Sequence, residues 1–166
     1  MPNKVMEPVP IGTIKVSKNP DVVYSIGNLT SGIAITLYDL KLKVGGIAYI
    51  LLPESSIEQG NRDANMLKYA DVAVPELIKK YQENGGLKQN VLVRIVGGAQ
   101  MFNFGGGANS LNTGSRNVTV IKTLFTKLGF VVDKAEVGGN KTRQFKFSLS
   151  SGQIQVKQMD REDLIM

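Results

Sequence analysis

Thr30 and Ser31 place two hydroxyl groups in a turn of small residues at 27–32, which is where we would look for a site. A serine hydroxyl becomes a useful nucleophile only when a neighbouring base takes its proton. The candidates for such a base in this stretch are Lys41 and Lys43. A Ser–Lys pair that transfers acyl groups is therefore one hypothesis. The alternative is that Ser31 is a turn residue whose hydroxyl bonds its own backbone.

The composition removes most other reactive groups, because the 166 residues include no Cys and no His. Thiolate catalysis, disulfides and His-ligated zinc are all excluded. The glycine run at 105–107 lacks the Gly-Lys-Ser/Thr ending of a phosphate-binding loop. We therefore expect no metal and no cofactor.

The charge of the chain favours acidic partners over nucleic acid. The formal net charge is +6 at pH 7, yet the basic residues are spread out and their longest uninterrupted run is Lys79–Lys80. The five Tyr and six Phe are not arranged as a platform on which bases could stack. We expect no nucleic acid partner, and a glutamate-rich surface would suit this protein better.

Nothing in the hydropathy pattern indicates a membrane segment. No apolar run approaches the roughly 18 residues that a spanning helix needs, and the first residues lack the apolar core of a signal peptide. We expect no membrane insertion and a cytoplasmic location.

Two apolar runs after Ser31 predict the central strands, at Ile33–Asp39 and 46–53. Both runs are rich in β-branched residues and are bounded by Gly, Asp or Pro, as strands usually are. Similar signals predict further strands at 11–16, 22–26, 91–96, 131–132, 144–149 and 153–156, the last two joined as a hairpin.

Apolar residues at helical spacing predict two helices. The first has Pro75 inside its stripe, so we expect a kink near Asp71 or a helix start there. Its predicted buried face consists of Ala70, Ala73, Val74, Leu77, Ile78 and Tyr81. The second is expected to be capped by Ser115 and to end at Gly129. Its predicted buried face consists of Val118, Ile121, Leu124, Phe125 and Leu128.

This order of elements predicts an α+β fold. Strands come first, two helices interrupt them, and a hairpin ends the chain. The length is that of one domain, so residues 1–166 are expected to form a single unit.

Short motifs recur in order along nearly the whole chain, and together they resemble the CheD family, the chemoreceptor glutamine deamidases of bacterial chemotaxis. The resemblance implies a CheD-like α/β/β arrangement, in which mixed β-sheets pack as layers and two main helices lie on one side. The motifs are LTSG at 29–32, YD at 38–39, GGIAYILLP at 45–53, KYADVAVP at 68–75, GGAQMF at 97–102, GSRNV at 114–118 and VGGNKTR at 137–143.

The same resemblance implies lost chemistry. In the family, a Cys thiolate attacks a receptor glutamine, a His activates the Cys, and a hydroxyl residue orients the His. The corresponding positions here are Gly32, Tyr49 and Ile26. Glycine has no side-chain atom, isoleucine cannot hydrogen-bond, and tyrosine, with a pKa of about 10, is no base at neutral pH. The resemblance therefore implies an inactive member, and the rival hypothesis is an active deamidase that uses Ser31.

Binding is the activity that this interpretation leaves. The resemblance implies two partners, the cytoplasmic region of a chemoreceptor and a CheC-type phosphatase. The expected contacts are Met101, Phe102, Arg116 and Asn117. The alternatives are that Phe102 fills the core and that Asn117 caps a helix.

Overall fold

Two five-stranded sheets and two helices make up the computed structural model, which describes residues 3–58, 65–100 and 113–166. The helices are α1 (Ala70–Glu83) and α2 (Thr113–Lys127). The strands are β1 (Val5–Pro8), β2 (Thr13–Ser17), β3 (Val22–Leu29), β4 (Ile33–Asp39), β5 (Gly45–Ile50), β6 (Val91–Gly97), β7 (Val132–Val137), β8 (Arg143–Ser148), β9 (Ile154–Gln158) and β10 (Leu164–Ile165).

Both sheets are mixed. The central sheet has the strand order β2-β5-β4-β6-β7, and the outer sheet has the order β1-β3-β8-β9-β10. β6 and β7 pair in parallel, as do β1 and β3, whereas the other neighbours are antiparallel.

The central sheet is covered on both faces, and β4 shows how. Its Ile33, Ile35 and Leu37 join the core cluster that includes residues of α1 and α2. Its Ala34 and Tyr38 join the second cluster, which includes residues of the outer sheet. Because successive strand residues point to opposite faces, all seven residues of β4 are buried. The expected α/β/β layering, with both helices on one side, is confirmed.

Helix α1 matches its prediction closely. The six residues expected on its buried face are the six that are buried. The helix begins at Ala70, one residue before Asp71, so the expectation of a start there is nearly right. Pro75 lies exposed at the sixth helical position.

Helix α2 confirms its predicted stop at Gly129, whose φ is 81°, and corrects its predicted start and part of its predicted buried face. Ser115 lies inside the helix and is not its cap, and Leu128 lies beyond the last turn with 41% of its surface exposed. The buried residues are Gly114, Asn117, Ile121 and Phe125, whereas Val118 and Leu124 are half-buried. The face against the sheet is therefore rotated from the purely apolar stripe, and it includes a glycine and an asparagine.

The remaining differences lie at strand ends and edges. β5 ends at Ile50 because Leu52 leaves the sheet and bridges to Tyr69. β7 runs on to Val137. Four of its six residues are charged or small, and no apolar alternation marks them as a strand, so the sequence pattern does not reveal its full length. β1 and β10 are short edge strands that the sequence did not predict.

Candidate functional site

The position that the motifs assign to the nucleophile, Gly32, is closed by backbone. A Cβ placed on Gly32 would lie 2.6 Å from the carbonyl oxygen of Ile50 and 3.0 Å from Cε2 of Tyr49. The backbone of Gly32 is outside the left-handed region. Crowding, and not backbone conformation, therefore excludes a side chain here. A main-chain carbonyl cannot yield as the end of a flexible side chain can.

The neighbouring glycines hold this backbone in place. Gly98 N–H donates to the Gly32 carbonyl at 2.9 Å, and Ala99 N–H donates to the Thr30 carbonyl at 2.9 Å. Gly97 pairs with Ile33 in the sheet and has a φ of 125°. A side chain on Gly97 would run into the Gly32 carbonyl, so glycine is required for this close approach.

Tyr49 lies directly against Gly32 and is built as a core residue. It pairs with Ala34 of β4 and Thr13 of β2, and only 7% of it is exposed. Its hydroxyl donates a long hydrogen bond of 3.5 Å to the Asn28 carbonyl. Burial raises the pKa of Tyr49 above that of an ordinary tyrosine. The phenol therefore stays protonated at physiological pH and cannot accept a proton from a nucleophile.

Ile26, the third motif position, lies in the core cluster between the two sheets that also contains Tyr49. It pairs with Phe145 in the outer sheet and is 5% exposed. The structure thus places Gly32 and Tyr49 in contact and Ile26 in the same apolar layer. Of these three residues only Tyr49 has a titratable side chain, and its phenol stays protonated at physiological pH.

The lysines considered as a base for Ser31 are at the wrong end of β4. Ser31 precedes β4, whereas Lys41 and Lys43 follow it, in the turn that leads to β5. Seven strand residues separate the two ends by about 23 Å at a rise of about 3.3 Å per residue. Lys43 instead donates to the Ser150 carbonyl at 2.9 Å. This corrects the hypothesis of a Ser–Lys pair.

Asn117 is a structural clamp behind Ser31. It is fully buried in α2, and its Nδ2 donates to the carbonyls of Ser31 at 3.0 Å and Leu51 at 2.9 Å. Because two carbonyls take both amide hydrogens, the orientation of the side chain is fixed, and Oδ1 is left buried without a hydrogen-bond partner. A fully buried residue has no surface to offer, so the structure corrects the expectation that Asn117 contacts a partner and the alternative that it caps the helix.

Arg143 ties the outer sheet to the same region. Only 2% of it is exposed, and its guanidinium donates to the carbonyls of Gly97 at 3.3 Å and Gly138 at 2.8 Å. Burial lowers its pKa, and the carboxylate of Glu136, 3.7 Å away, opposes that shift. Glu136 also pairs with Arg161 at 2.7 Å. Arg143 thus positions the turn from which the N–H of Gly98 reaches Gly32.

The accessible surface near the site is a cleft on the outer sheet. A register shift between Ile26 and Leu29 accompanies exposure of Gly27 and Asn28, which line a cleft of about 500 Å³. Two lysines and an exposed methionine also line it, namely Lys141, Lys157 and Met159. Because Asn28 supplies the acceptor of Tyr49, this cleft borders the closed site.

The expected contacts have different outcomes. Arg116 is exposed on α2, where a partner could reach it. Met101 and Phe102 lie outside the described residues. Sequence reasoning missed the roles of Asn117 and Arg143, although Asn117 lies one helical turn before Ile121 and two before Phe125, a spacing that indicates a shared buried face.

Within the described part of the chain, no group of three or more His, Cys, Asp or Glu side chains is placed to hold a metal ion. In the same residues, no helix is both long and apolar enough to cross a bilayer.

Comparisons with known proteins agree on one family. A family described as CheD, chemotactic sensory transduction, matches residues 51–158. A protein of Clostridium botulinum strain Hall named "Probable chemoreceptor glutamine deamidase CheD" is 36% identical over 149 residues, which cover 90% of each chain. A protein of the same name from Clostridium novyi is 35% identical over 147 residues, which cover 89% of each chain.

Proposed function

The chain belongs to the CheD family, and we propose that it serves chemotaxis by binding, without deamidase chemistry. One observation carries the proposal: the nucleophile position is a glycine whose missing side chain is replaced by the Ile50 carbonyl and the Tyr49 ring. Deamidation by the family's route needs a thiolate and a base at this point. Neither a thiolate nor an imidazole can form in a chain without Cys and His.

The rival is a deamidase that uses Ser31. A serine nucleophile also needs a base within hydrogen-bond reach. The lysines that were candidates lie about 23 Å away along β4, and the buried phenol of Tyr49 has a raised pKa. These distances and protonation states favour the binding protein over the rival.

Mass spectrometry of a chemoreceptor cytoplasmic fragment tests the absence of chemistry. We expect no conversion of glutamine to glutamate above the rate without protein. The Clostridium botulinum relative is the positive control under the same conditions. Conversion that disappears in Ser31→Ala would overturn the proposal and establish the rival.

The receptor is the proposed partner, and the cleft beside the site is the proposed contact. Lys157 and Lys141 give the cleft a positive charge, which Asp160 partly balances by pairing with Lys141 at 3.8 Å. Met159, 76% exposed, gives the cleft an apolar anchor. A glutamate-rich receptor helix has the complementary charge. Arg116 extends the same proposal to α2. A CheC-type phosphatase is the other partner that family membership suggests, and a cytoplasmic location goes with both.

Binding of the receptor fragment is measured by titration at rising salt. We expect affinity to fall with ionic strength, because charges on the surface are screened beyond about 8 Å at physiological salt. Lys157→Gln should weaken binding by up to about fivefold, as an exposed charge pair contributes at most about 1 kcal/mol. Lys79→Gln, an equal loss of charge on exposed α1, is the matched control. Equal effects of the two changes would reject the cleft as the contact.

A further inference from the structure

The loops at the far end of β4 form a second surface, which we call the turn end. It consists of the β4–β5 turn at 40–44, the α1–β6 connection at 84–90, the α2–β7 connection at 128–131 and the β8–β9 turn at 149–153. The registers place them together: Ser17 pairs with Gly45, Asp39 pairs with Val91, and Val93 pairs with Val132. The surface lies opposite the Gly32 site and is independent of the proposed function.

Apolar side chains concentrate at the turn end. Leu40 and Leu42 are 54% and 52% exposed at the tip of the β4–β5 turn. The next two loops add Leu87 at 42% and Leu128 at 41%, and Val131 at 83% is the most exposed large apolar residue that the structure describes. Three separate loop tips thus present apolar side chains to solvent on one surface. Single scattered apolar residues are normal on a protein surface, whereas such a concentration indicates an interaction site.

Lysines surround these apolar tips and lack acidic partners. Six exposed lysines lie in or beside the turn end, at positions 4, 18, 41, 43, 88 and 127. Of the three outside its loops, Lys4 donates to Ser150, Lys18 lies next to Gly85 and Lys127 precedes Leu128. Lys4, Lys43 and Lys88 bond only to neutral oxygens, and among the described residues none of the six makes an ion pair with a carboxylate. The nearby exposed or half-exposed carboxylates include Asp21, Glu83 and Asp133, the last of which pairs with Arg94. The surface is therefore strongly positive as well as apolar.

A buried carboxylate keeps the tips in place. Asp39 is fully buried and accepts the N–H groups of Lys41, Leu42 and Leu87, each at 2.9 Å. One side chain thus fixes two of the three loop tips. Lys88 connects to the third by donating to the Leu128 carbonyl at 3.2 Å. The leucines are held outward by this framework and do not need to fold on contact.

From these observations we infer that the turn end docks on the surface of an anionic lipid bilayer. The leucines stand on separate tips that each carry a neighbouring lysine, namely Leu40–Leu42 with Lys41 and Lys43, Leu87 with Lys88, and Leu128 with Lys127. Apolar side chains at the level of the headgroups, with lysines beside them on anionic lipid, form the usual pair of signals for interfacial anchoring. The Gly32 end would then face away from the bilayer.

Co-sedimentation with vesicles of phosphatidylcholine and phosphatidylglycerol tests the inference on the full chain. We expect binding to the mixed vesicles and little to phosphatidylcholine alone. The double change Lys41→Gln and Lys43→Gln should weaken binding about 25-fold, at about fivefold per lysine. The double change Leu40→Ser and Leu42→Ser should weaken it about tenfold or more with charge unchanged. Both leucines are exposed, so these variants keep the fold.

A pair of lysines elsewhere is the matched control. Lys141→Gln with Lys157→Gln removes the same charge at the cleft beside the site. An effect of this pair equal to that of Lys41 and Lys43 would show general charge attraction and would overturn the inference. Binding that ignores the loss of both leucines would overturn it as well, as would sedimentation only when an acidic protein is present on the vesicles.

Fluorescence distinguishes insertion of the tip from contact by charge alone. The chain contains no Trp, so Leu42→Trp introduces the only indole. We expect a blue shift of its emission on mixed vesicles and none for Met159→Trp, which reports from the opposite end. A shift of the same size at both positions, or none at Leu42→Trp, would contradict docking through the turn end.

Discussion

The two ends of β4 differ in the role of their buried polar side chains. At the Gly32 end, where a family member would carry a nucleophile, the space holds a backbone carbonyl and the ring of Tyr49, and polar side chains such as Asn117 serve only to hold carbonyls. At the Asp39 end, a buried carboxylate organises loops that carry exposed leucines and lysines.

This difference shows how each end uses its buried polar groups. At both ends the buried polar groups form hydrogen bonds that stabilise the fold, since an unpaired buried group is costly. At the Gly32 end, the position that the motifs assign to a nucleophile is buried, and the neighbouring cleft is accessible. At the Asp39 end, the cost of burying a carboxylate is offset by three backbone N–H donors, and the result is a rigid, exposed, basic surface.

Of the changes that test this comparison, Asp39→Ala should have the largest effect on stability. Removing the carboxylate leaves three N–H groups without their acceptor, so we expect the free energy of unfolding to fall by about 3 kcal/mol, because hydrogen bonds to charged groups are the strong ones. For a chain of this size, the melting temperature should fall by roughly 10 °C. Calorimetry measures both, and vesicle binding should fall with them.

Asp163→Ala is the control for that change, since this exposed carboxylate accepts one hydrogen bond from Gln155. We expect a change within about 0.5 kcal/mol. A loss below about 1 kcal/mol for Asp39→Ala would mean that the β4–β5 turn does not depend on its carboxylate.

Gly32→Ala tests the other end with a smaller expected effect. Its Cβ requires the Ile50 carbonyl to move, so we expect a loss of about 2 kcal/mol, typical of overpacking. Gly27→Ala is matched, because a Cβ there meets nothing within 4 Å. It should be neutral or stabilise slightly, by up to about 1 kcal/mol. Chemical denaturation of the two variants gives both values, and equal stabilities would contradict the closed site.

Acid titration should give the smallest effect. Burial alone would raise the pKa of Asp39, but the N–H groups of Leu42, Leu87 and Lys41, with the Asn90 amide, hold it below its usual range. The stabilisation is therefore complete above about pH 4, the ordinary pKa of aspartate, and is lost as the pH falls through the lower pKa of the folded state.

Asp39→Asn isolates this contribution from that of other carboxylates. The stability difference between wild type and Asp39→Asn should shrink as the pH falls below about 4, as measured by urea denaturation at several pH values. A difference that stays constant through that range would show that Asp39 does not titrate with folding.

Local patterns predicted the elements that have one simple periodicity. β4 has its predicted bounds, and α1 buries the six residues of its stripe, because each element is apolar on the faces that it packs. The same reasoning failed for α2, where Gly114 and Asn117 replace apolar residues on the buried face. It also failed for β1, an edge strand whose exposure shows no alternation.

The candidate site shows a different limit. The motifs identified Gly32, Tyr49 and Ile26 as related positions, but no local pattern indicates that the Ile50 carbonyl fills the space beside Gly32. That closure depends on the register of β4 against β5, in which Ile33 pairs with Ile50. Likewise, the distance between Ser31 and Lys43 can be derived from strand length only when β4 is known to be a continuous strand that runs between them.

Thiol labelling of Gly32→Cys tests the closed site most directly. The chain has no Cys of its own, so the introduced thiol is the only one. We expect it to react with a soluble thiol reagent only as fast as the protein unfolds, because the Ile50 carbonyl and the Tyr49 ring cover the position. Gly27→Cys, in open space, should react at once under the same conditions. Equally rapid labelling of both variants in the native state would contradict closure of the Gly32 position.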